Sequence, residues 1–357
     1  MKTGIVLEGG AMRGMFTAGI LDVWMEQEIS FDTAVGVSAG ATFGINLKSH
    51  QIGRTLRYNK KYCKDKRYGG LWSLIKTGDI YNAKFDYDDI PNRLDPYDVA
   101  AHRDNSMDFW VVTTDVDTGL PVYKRLDKGD GEDITWLRAS ASMPGVSNVV
   151  HCTGEAYEGK LPFSKAEPAK KGRYIKLKRP VYAGDKACTD QAIKQYEDGS
   201  CTDNADIRDE ADSLLTESGY NKMDCDGHGF LDGGMSDSVP IKFIEDLGCD
   251  KIVVICTQPY GYRKKKNGMM PILKQLLKSY PELINTMSHR HLMYNATMEY
   301  LDSCAEREPD RIRVIRPEAA LNIKKVVHDP KEIQRVYDIG YAEGLKRVGE
   351  IRRFLDK

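Results

Sequence analysis

The 357-residue chain has no run of about 18 consecutive apolar residues, so no membrane-crossing helix is expected. It also lacks a surplus of charge. Fifty-two Lys and Arg against 53 Asp and Glu leave a net charge of −1, which argues against a general nucleic-acid binder. Internal repeats and low-complexity tracts are absent. The opening MKTGIVLEGG does not have the form of a signal peptide, because the first glycine pair arrives before any sustained apolar run. A cytoplasmic location is the resulting expectation.

None of the eight cysteines forms a C-x-x-C pair, so zinc ligation is not expected. Cys63, Cys249, Cys256 and Cys304 stand singly and read as small apolar residues, whereas Cys152, Cys188, Cys201 and Cys225 share one polar stretch. Disulfides among these would require an oxidising compartment. Asp224-Cys225-Asp226-Gly227-His228-Gly229 begins like a calcium loop, but Met235 stands where the bidentate glutamate belongs. No metal and no cofactor is therefore expected.

What the chain does have is glycine in particular places. Gly4 to Phe16 reads GIVLEGGAMRGMF, a short apolar run, a glycine-rich turn and then a helical pattern. Amides at a turn entering a helix attract an anion, either a nucleotide pyrophosphate or a charge formed during a reaction. Gly9, Ala11 and Gly14 approach the dinucleotide spacing, and Asp32 lies where a ribose partner would be sought. However, Ala11 replaces the glycine that would admit the pyrophosphate. Phe31 to Gly40 reads FDTAVGVSAG, and its Gly36-Val37-Ser38-Ala39-Gly40 is a G-x-S-x-G between an expected strand and an expected helix. That setting presents a serine hydroxyl on a strained turn.

A serine hydroxyl needs a base to become a nucleophile. Of the seven histidines, His50, His102, His151, His289 and His291 lie in polar or helical surroundings, leaving His228 and His328 as alternatives. An aspartate is favoured instead. GFLDGGMSDSVP, Gly229 to Pro240, sets Asp232 at the end of a short strand before Gly233 and Gly234, poised over a cleft or forming a hairpin turn.

Taken together, Gly9-Gly10-Ala11-Met12-Arg13-Gly14, Gly36-Val37-Ser38-Ala39-Gly40 and Asp232-Gly233-Gly234 resemble the anion loop, nucleophile elbow and aspartate motif of the patatin-like phospholipases. Ala139-Ser140-Ala141-Ser142-Met143-Pro144 resembles the segment those proteins carry ahead of the aspartate. The likeness covers about 3–150 and 226–260, and continues more faintly through 311–321 and the last helix. It implies a three-layer α/β sandwich that cleaves lipid carboxylic esters through an acyl-enzyme, as a phospholipase A, a lysophospholipase or a non-specific acyl hydrolase.

The same resemblance implies a Ser38–Asp232 dyad with no histidine. Amides around Gly9, Gly10 and Ala11 would bind the oxyanion, and Arg13 and Gly14 would support the loop. Gly36, Gly40, Gly233 and Gly234 would give the motifs their shape. The sequence departs from the family at Ala11, where the loop has its third glycine. A catalytically silent lipid-binding relative and, more remotely, a dinucleotide binder are the competing readings.

The remaining order is α/β. KTGIVLE, AVGVS, DFWVVTTDV and KIVVICTQ read as buried strands, alternating with helical stretches such as MFTAGILDVWMEQE and TWLRASASM. This alternation predicts a mostly parallel sheet with helices on both faces. A catalytic domain over 1–262 is expected, interrupted by a polar insertion at about 151–226 between a strand at Ser147–Val150 and the strand before Asp232. The insertion is expected to be strand-rich around Arg173–Val181 and helical around Asp206–Glu217, serving as a cap over the acyl site or as surface decoration. Residues 263–357 should form a mainly helical region packed on the core, with one long helical stretch through 269–301 and a last helix from Pro330 to Leu355. The basic run Arg263-Lys264-Lys265-Lys266 beside Met269, Met270 and Leu273 suggests peripheral contact with an anionic membrane through 263–273. An ester or lipid is the expected partner, and oligomeric state is left open.

Overall fold

A computed structural model describes residues 1–163 and 204–356. Its strands are β1 Thr3–Leu7, β2 Thr33–Val37, β3 Asp108–Asp115, β4 Pro121–Arg125, β5 Val150–His151, β6 Glu155–Glu158, β7 Asn221–Asp224, β8 Gly229–Asp232, β9 Lys251–Ile255 and β10 Ile312–Ile315. The α-helices are α1 Gly14–Glu26, α2 Ala39–Lys48, α3 Arg54–Tyr62, α4 Leu71–Thr77, α5 Val99–Asp104, α6 Gly131–Ala141, α7 Asn204–Glu217, α8 Ile241–Asp246, α9 Met270–Leu276, α10 Pro281–Arg307 and α11 Pro330–Leu355. A wider π-helical segment spans Phe85–Leu94.

The sheet runs β10-β9-β1-β2-β3-β4-β6-β7. The five strands from β10 to β3 are parallel, and from β4 onward pairing is antiparallel. Successive residues of the parallel strands face opposite sides, and this divides the apolar residues into two cores. Ile5, Leu7, Ala34, Phe109 and Val253 pack with α1, α2 and α11 on one face. Val6, Val35, Trp110, Val112 and Val254 pack with Phe243 of α8 and with Tyr294, Met298 and Leu301 of α10 on the other. Both faces are covered, so these strands read as unbroken aliphatic runs. The mixed α/β architecture with a helix layer on each side is the three-layer fold expected from the sequence.

The C-terminal region is built into this body. β10 extends the sheet beside β9, and α11 lies along α1. Gly19 of α1 and Gly340 of α11 let the two backbones approach so closely that a Cβ at either would collide with main-chain atoms of the other helix. The Tyr337 hydroxyl donates to Asp22 across the same contact at 2.7 Å.

Three local expectations are corrected. The helical stretch through 269–301 is two helices, α9 and α10, because Pro281 disfavours a helical residue before it and Tyr280 turns to φ −124°, ψ 71°. The strand expected at Ser147–Val150 lies at Val150–His151, where it pairs with β8. Part of the polar insertion belongs to the sheet, since β6 pairs with β4 and with β7. Its helical portion is α7, whereas the strand-rich part expected at 173–181, along with Cys188 and Cys201, lies outside the described residues. Cys152 and Cys225 are buried free thiols.

Candidate active site

One strand decides where the two key side chains meet. β3 pairs with β2 through Asp108–Val112 and, farther along the same edge, with β8 through Thr113–Asp115. Val37, the last residue of β2, stands opposite Val112, and Asp232, the last of β8, stands opposite Thr113. Ser38 follows Val37 directly, so β3 brings residues nearly two hundred positions apart onto adjacent rows. The Ser38 hydroxyl donates to Asp232 Oδ2 at 2.8 Å, and both residues are buried.

Each partner is held in place. Asp232 Oδ1 accepts the Gly234 amide at 2.8 Å, its amide donates to Ser142 O at 2.8 Å, and its carbonyl accepts the Thr114 hydroxyl at 3.0 Å. The Ser38 amide donates to Ser140 Oγ at 2.9 Å, and that hydroxyl donates to Val112 O at 2.6 Å. Ser140 and Ser142, at the end of α6, therefore tie both members of the pair to the sheet. Ser38 itself is in the left-handed half of conformational space, at φ +54°, ψ −123°, on the sharp turn into α2. Strain of this kind, about 1–3 kcal/mol, marks a side chain that the fold forces into position.

The glycines around the pair are there for space. A Cβ on Gly40 would enter the Leu7 carbonyl, one on Gly233 would enter the Val112 carbonyl, and one on Gly36 would lie 2.6 Å from the Ala41 backbone. A Cβ on Gly9 would be 2.9 Å from Val37 O, and one on Gly14 would be 2.9 Å from the Phe43 ring. The loop thus packs directly on the serine turn. Its Gly9, Gly10 and Ala11 amides have no hydrogen-bond partner among the described residues. Ala11 has φ +49°, so the position that is glycine in the family does adopt the conformation glycine favours. Alanine there carries about 1–2 kcal/mol of strain and keeps its amide.

Glu8, Thr257, Arg290 and Tyr294, which the sequence did not single out, complete the site. Buried Glu8 accepts the Thr257 amide at 2.5 Å, the Thr257 hydroxyl at 3.2 Å and the Tyr294 hydroxyl at 2.7 Å. Arg13 Nε donates to that Thr257 hydroxyl at 3.4 Å, which links the glycine loop to the end of β9. Arg290, one turn before Tyr294 on α10, donates to Gly234 O in the aspartate motif. Lys264 lies over the Tyr294 ring, 4.0 Å from its centre, and its amide donates to Asn295 at 2.7 Å. Among the described residues, Arg13, Lys264 and Arg290 make no ion pair within 4.0 Å. The sequence signal was Arg290 and Tyr294 at helical i, i+4 spacing, which locates a shared face but not what it faces.

Burial raises the Asp232 carboxyl above its ordinary value, and Arg290, the Gly234 amide and the Ser38 hydroxyl pull it part of the way back. Burial also lowers Lys264 well below a usual lysine, and the neighbouring Arg290 charge adds to the effect. The histidines are engaged elsewhere. His228 meets Asp115 at 2.7 Å, His328 meets Cys63 O at 2.6 Å and His102 meets Tyr97 at 2.8 Å.

On the other side of Ser38 an apolar cavity holds about 890 Å³ of empty space, including its open mouth. Met12, Phe43, Ile90, Leu137 and Met143 form part of its wall, with Tyr58, Tyr68, Tyr81, Tyr87 and Tyr97. A buried hydroxyl paired to a carboxylate, free amides beside it and an apolar pocket on one side make an arrangement suited to acyl transfer.

Comparison with known proteins agrees with this architecture. The patatin-like phospholipase model matches residues 5–209, and a domain of unknown function, DUF6363, matches residues 280–356. An uncharacterised Escherichia coli (strain K12) protein, YjjU, is 20% identical over 317 residues, covering 88% of this chain and 67% of its own length. The chain belongs to the patatin-like phospholipase family.

Proposed function

We propose that this protein hydrolyses carboxylic esters of lipids through a Ser38–Asp232 dyad. Ser38 Oγ attacks the ester carbonyl carbon while its proton passes to Asp232 Oδ2. The Gly9, Gly10 and Ala11 amides receive the resulting oxyanion, each donor contributing a factor on the order of 10²–10³. Collapse breaks the bond to the alcohol, which leaves with the proton from Asp232. Water then gives a proton to Asp232 and attacks the acyl-enzyme, releasing the carboxylic acid and restoring the serine.

The observation that carries this reading is the 2.8 Å hydrogen bond from Ser38 to an aspartate whose other oxygen is fixed by the Gly234 amide. Because Asp232 must be ionised to accept the proton, activity falls as pH drops through its raised pKa. Labelling with a fluorophosphonate probe tests the nucleophile, with stoichiometric labelling of the native protein and none of Ser38→Ala expected. Labelling that persists in Ser38→Ala would overturn the assignment.

Two features support a lipid as the ester. Arg13, Lys264 and Arg290 favour a phosphate on the alcohol side, hence a phospholipid or lysophospholipid over a neutral glyceride. The second feature is an exposed apolar surface. Leu71, Trp72 and Ile75 of α4 and Met269, Ile272 and Leu276 at α9 are all more than half exposed. The loop 143–148 lies between them, for Asn148 donates to Thr77 O at 3.0 Å and a Cβ on Gly145 would be 2.7 Å from Leu273. Met143 of that loop also lines the pocket. With Lys76, Lys274 and the exposed Arg263, Lys265 and Lys266, this surface suits contact with an anionic membrane, and α4 extends the 263–273 contact read from the sequence.

A further inference from the structure

The cavity beside Ser38 contains a group that ester hydrolysis does not use. Asp86, in the π-helical segment, lines the same cavity as Ser38. Both of its carboxyl oxygens are buried without a hydrogen-bond partner, the only carboxylate in that state among the described residues. Four other polar side chains along this wall are engaged. Arg54 donates to Asp95 O at 2.7 Å and to Asn46 at 3.1 Å, and Tyr68 donates to Asn59 at 2.5 Å. Tyr81 donates to Lys325 O at 2.8 Å, and Tyr97 donates to Ile45 O at 3.2 Å.

Burial, reinforced by the Asp65 charge, holds the Asp86 carboxyl well above the usual carboxylate range. Its two unpartnered oxygens offer lone pairs to a hydrogen-bond donor, with an O–H of their own to give when protonated. A plain hydrocarbon chain entering the cavity would leave that capacity unmet. A hydroxyl both donates and accepts, and it matches this group without bringing a charge into an apolar space.

We propose that the cavity binds an acyl chain carrying a hydroxyl group, and that Asp86 is the residue that recognises it. The inference rests on the ester-hydrolase reading of Ser38 and names the acyl class for that site. Asp86 meets the chain away from the ester carbonyl, so it sets specificity and takes no part in bond breaking.

The test uses the full-length protein and 4-nitrophenyl esters of saturated acids, each compared with counterparts bearing a hydroxyl at mid-chain or at the terminus. At least one hydroxylated ester is expected to exceed its plain counterpart in kcat/KM by tenfold or more. Asp86→Leu should abolish that ratio, and Asp86→Asn, which keeps a neutral donor and acceptor, should retain most of it. Equal rates across every pair, a preference that survives in Asp86→Leu, or a preference for an amine-bearing chain would overturn the proposal.

Binding of the free acids to Ser38→Ala protein, read by calorimetry, separates the two layers of argument. If no ester is cleaved and the fluorophosphonate does not label, the hydrolase reading fails. The tenfold difference in Kd between hydroxylated and plain acids then decides the role of Asp86 independently.

Discussion

The two sides of Ser38 are chemically unlike. Toward the segment that includes α3 and the π-helix, the serine faces an apolar, tyrosine-walled cavity in which one carboxyl has no hydrogen-bond partner. Toward the glycine loop and α10 there are three basic side chains, Arg13, Lys264 and Arg290, of which Arg290 pulls the Asp232 carboxyl down. An ester cut between them has two products of different character, an acyl chain and an alcohol bearing a headgroup. The asymmetry fits one product to each side. It also gives the C-terminal region, matched only to a domain of unknown function, a place in the site through Arg290 and Tyr294.

The most severe way to break this comparison is to remove what both sides share. Asp232→Asn should keep the fold and lower kcat by roughly 10³–10⁴ on every ester, whatever its acyl chain or headgroup. A loss restricted to one substrate class would show that Asp232 binds substrate and does not activate Ser38.

The next largest effect is expected at the surface. The double variant Trp72→Glu, Ile272→Glu should lower hydrolysis of phospholipid in anionic vesicles by about tenfold or more, with vesicle co-sedimentation lost in parallel. A dissolved short-chain ester should be cleaved within about twofold of the native rate, because neither residue lines the cavity.

Arg290→Gln sharpens the cationic side specifically. Removing the charge that pulls the Asp232 pKa down should move the acid limb of the kcat/KM profile to higher pH, starting from a value already above the ordinary carboxylate. Cleavage of a lysophospholipid should fall by about tenfold, and cleavage of an uncharged ester should fall less when each is measured at its own pH plateau. An unshifted limb would mean that Arg290 acts only as a tether for Gly234.

The smallest effect is expected at Ala11. Ala11→Gly relieves alanine at φ +49° and should change stability by no more than about 1 kcal/mol, since glycine also loosens the unfolded chain. Thermal unfolding monitored by circular dichroism checks this, and activity should stay near native.

How much of this was legible in the sequence follows from range. Strands that are buried on both faces and helices with clear ends were visible because their signals are local, as in KIVVICTQ and in Pro330 to Leu355. The motifs around Ser38 and Asp232 were visible because small residues must sit where backbones nearly touch. The break at Pro281 was available in the chain but obscured by the helical pattern on both sides of it. Glu8 and Thr257 carry no local pattern, and the basic run at Lys264 and the helical spacing of Arg290 do not say what they face, since such roles come from partners up to 286 positions away, as with Tyr294 and Glu8. Asp86 is the same kind of case. In the chain it reads as one acid among several in FDYDDI, and only the fold buries its carboxyl in a cavity it shares with Tyr58, Tyr68, Tyr81, Tyr87 and Tyr97.

Because β3 carries β2 and β8 end to end along one edge, the gap between Ser38 and Asp232 is a property of that strand's pitch. Length can be added or removed elsewhere between them without changing that gap, provided β3 and the end of α6 keep the same rungs and hydrogen bonds. A domain grafted between β6 and β7 would hang from the far rim of the sheet, where growth and drift cost the chemistry nothing.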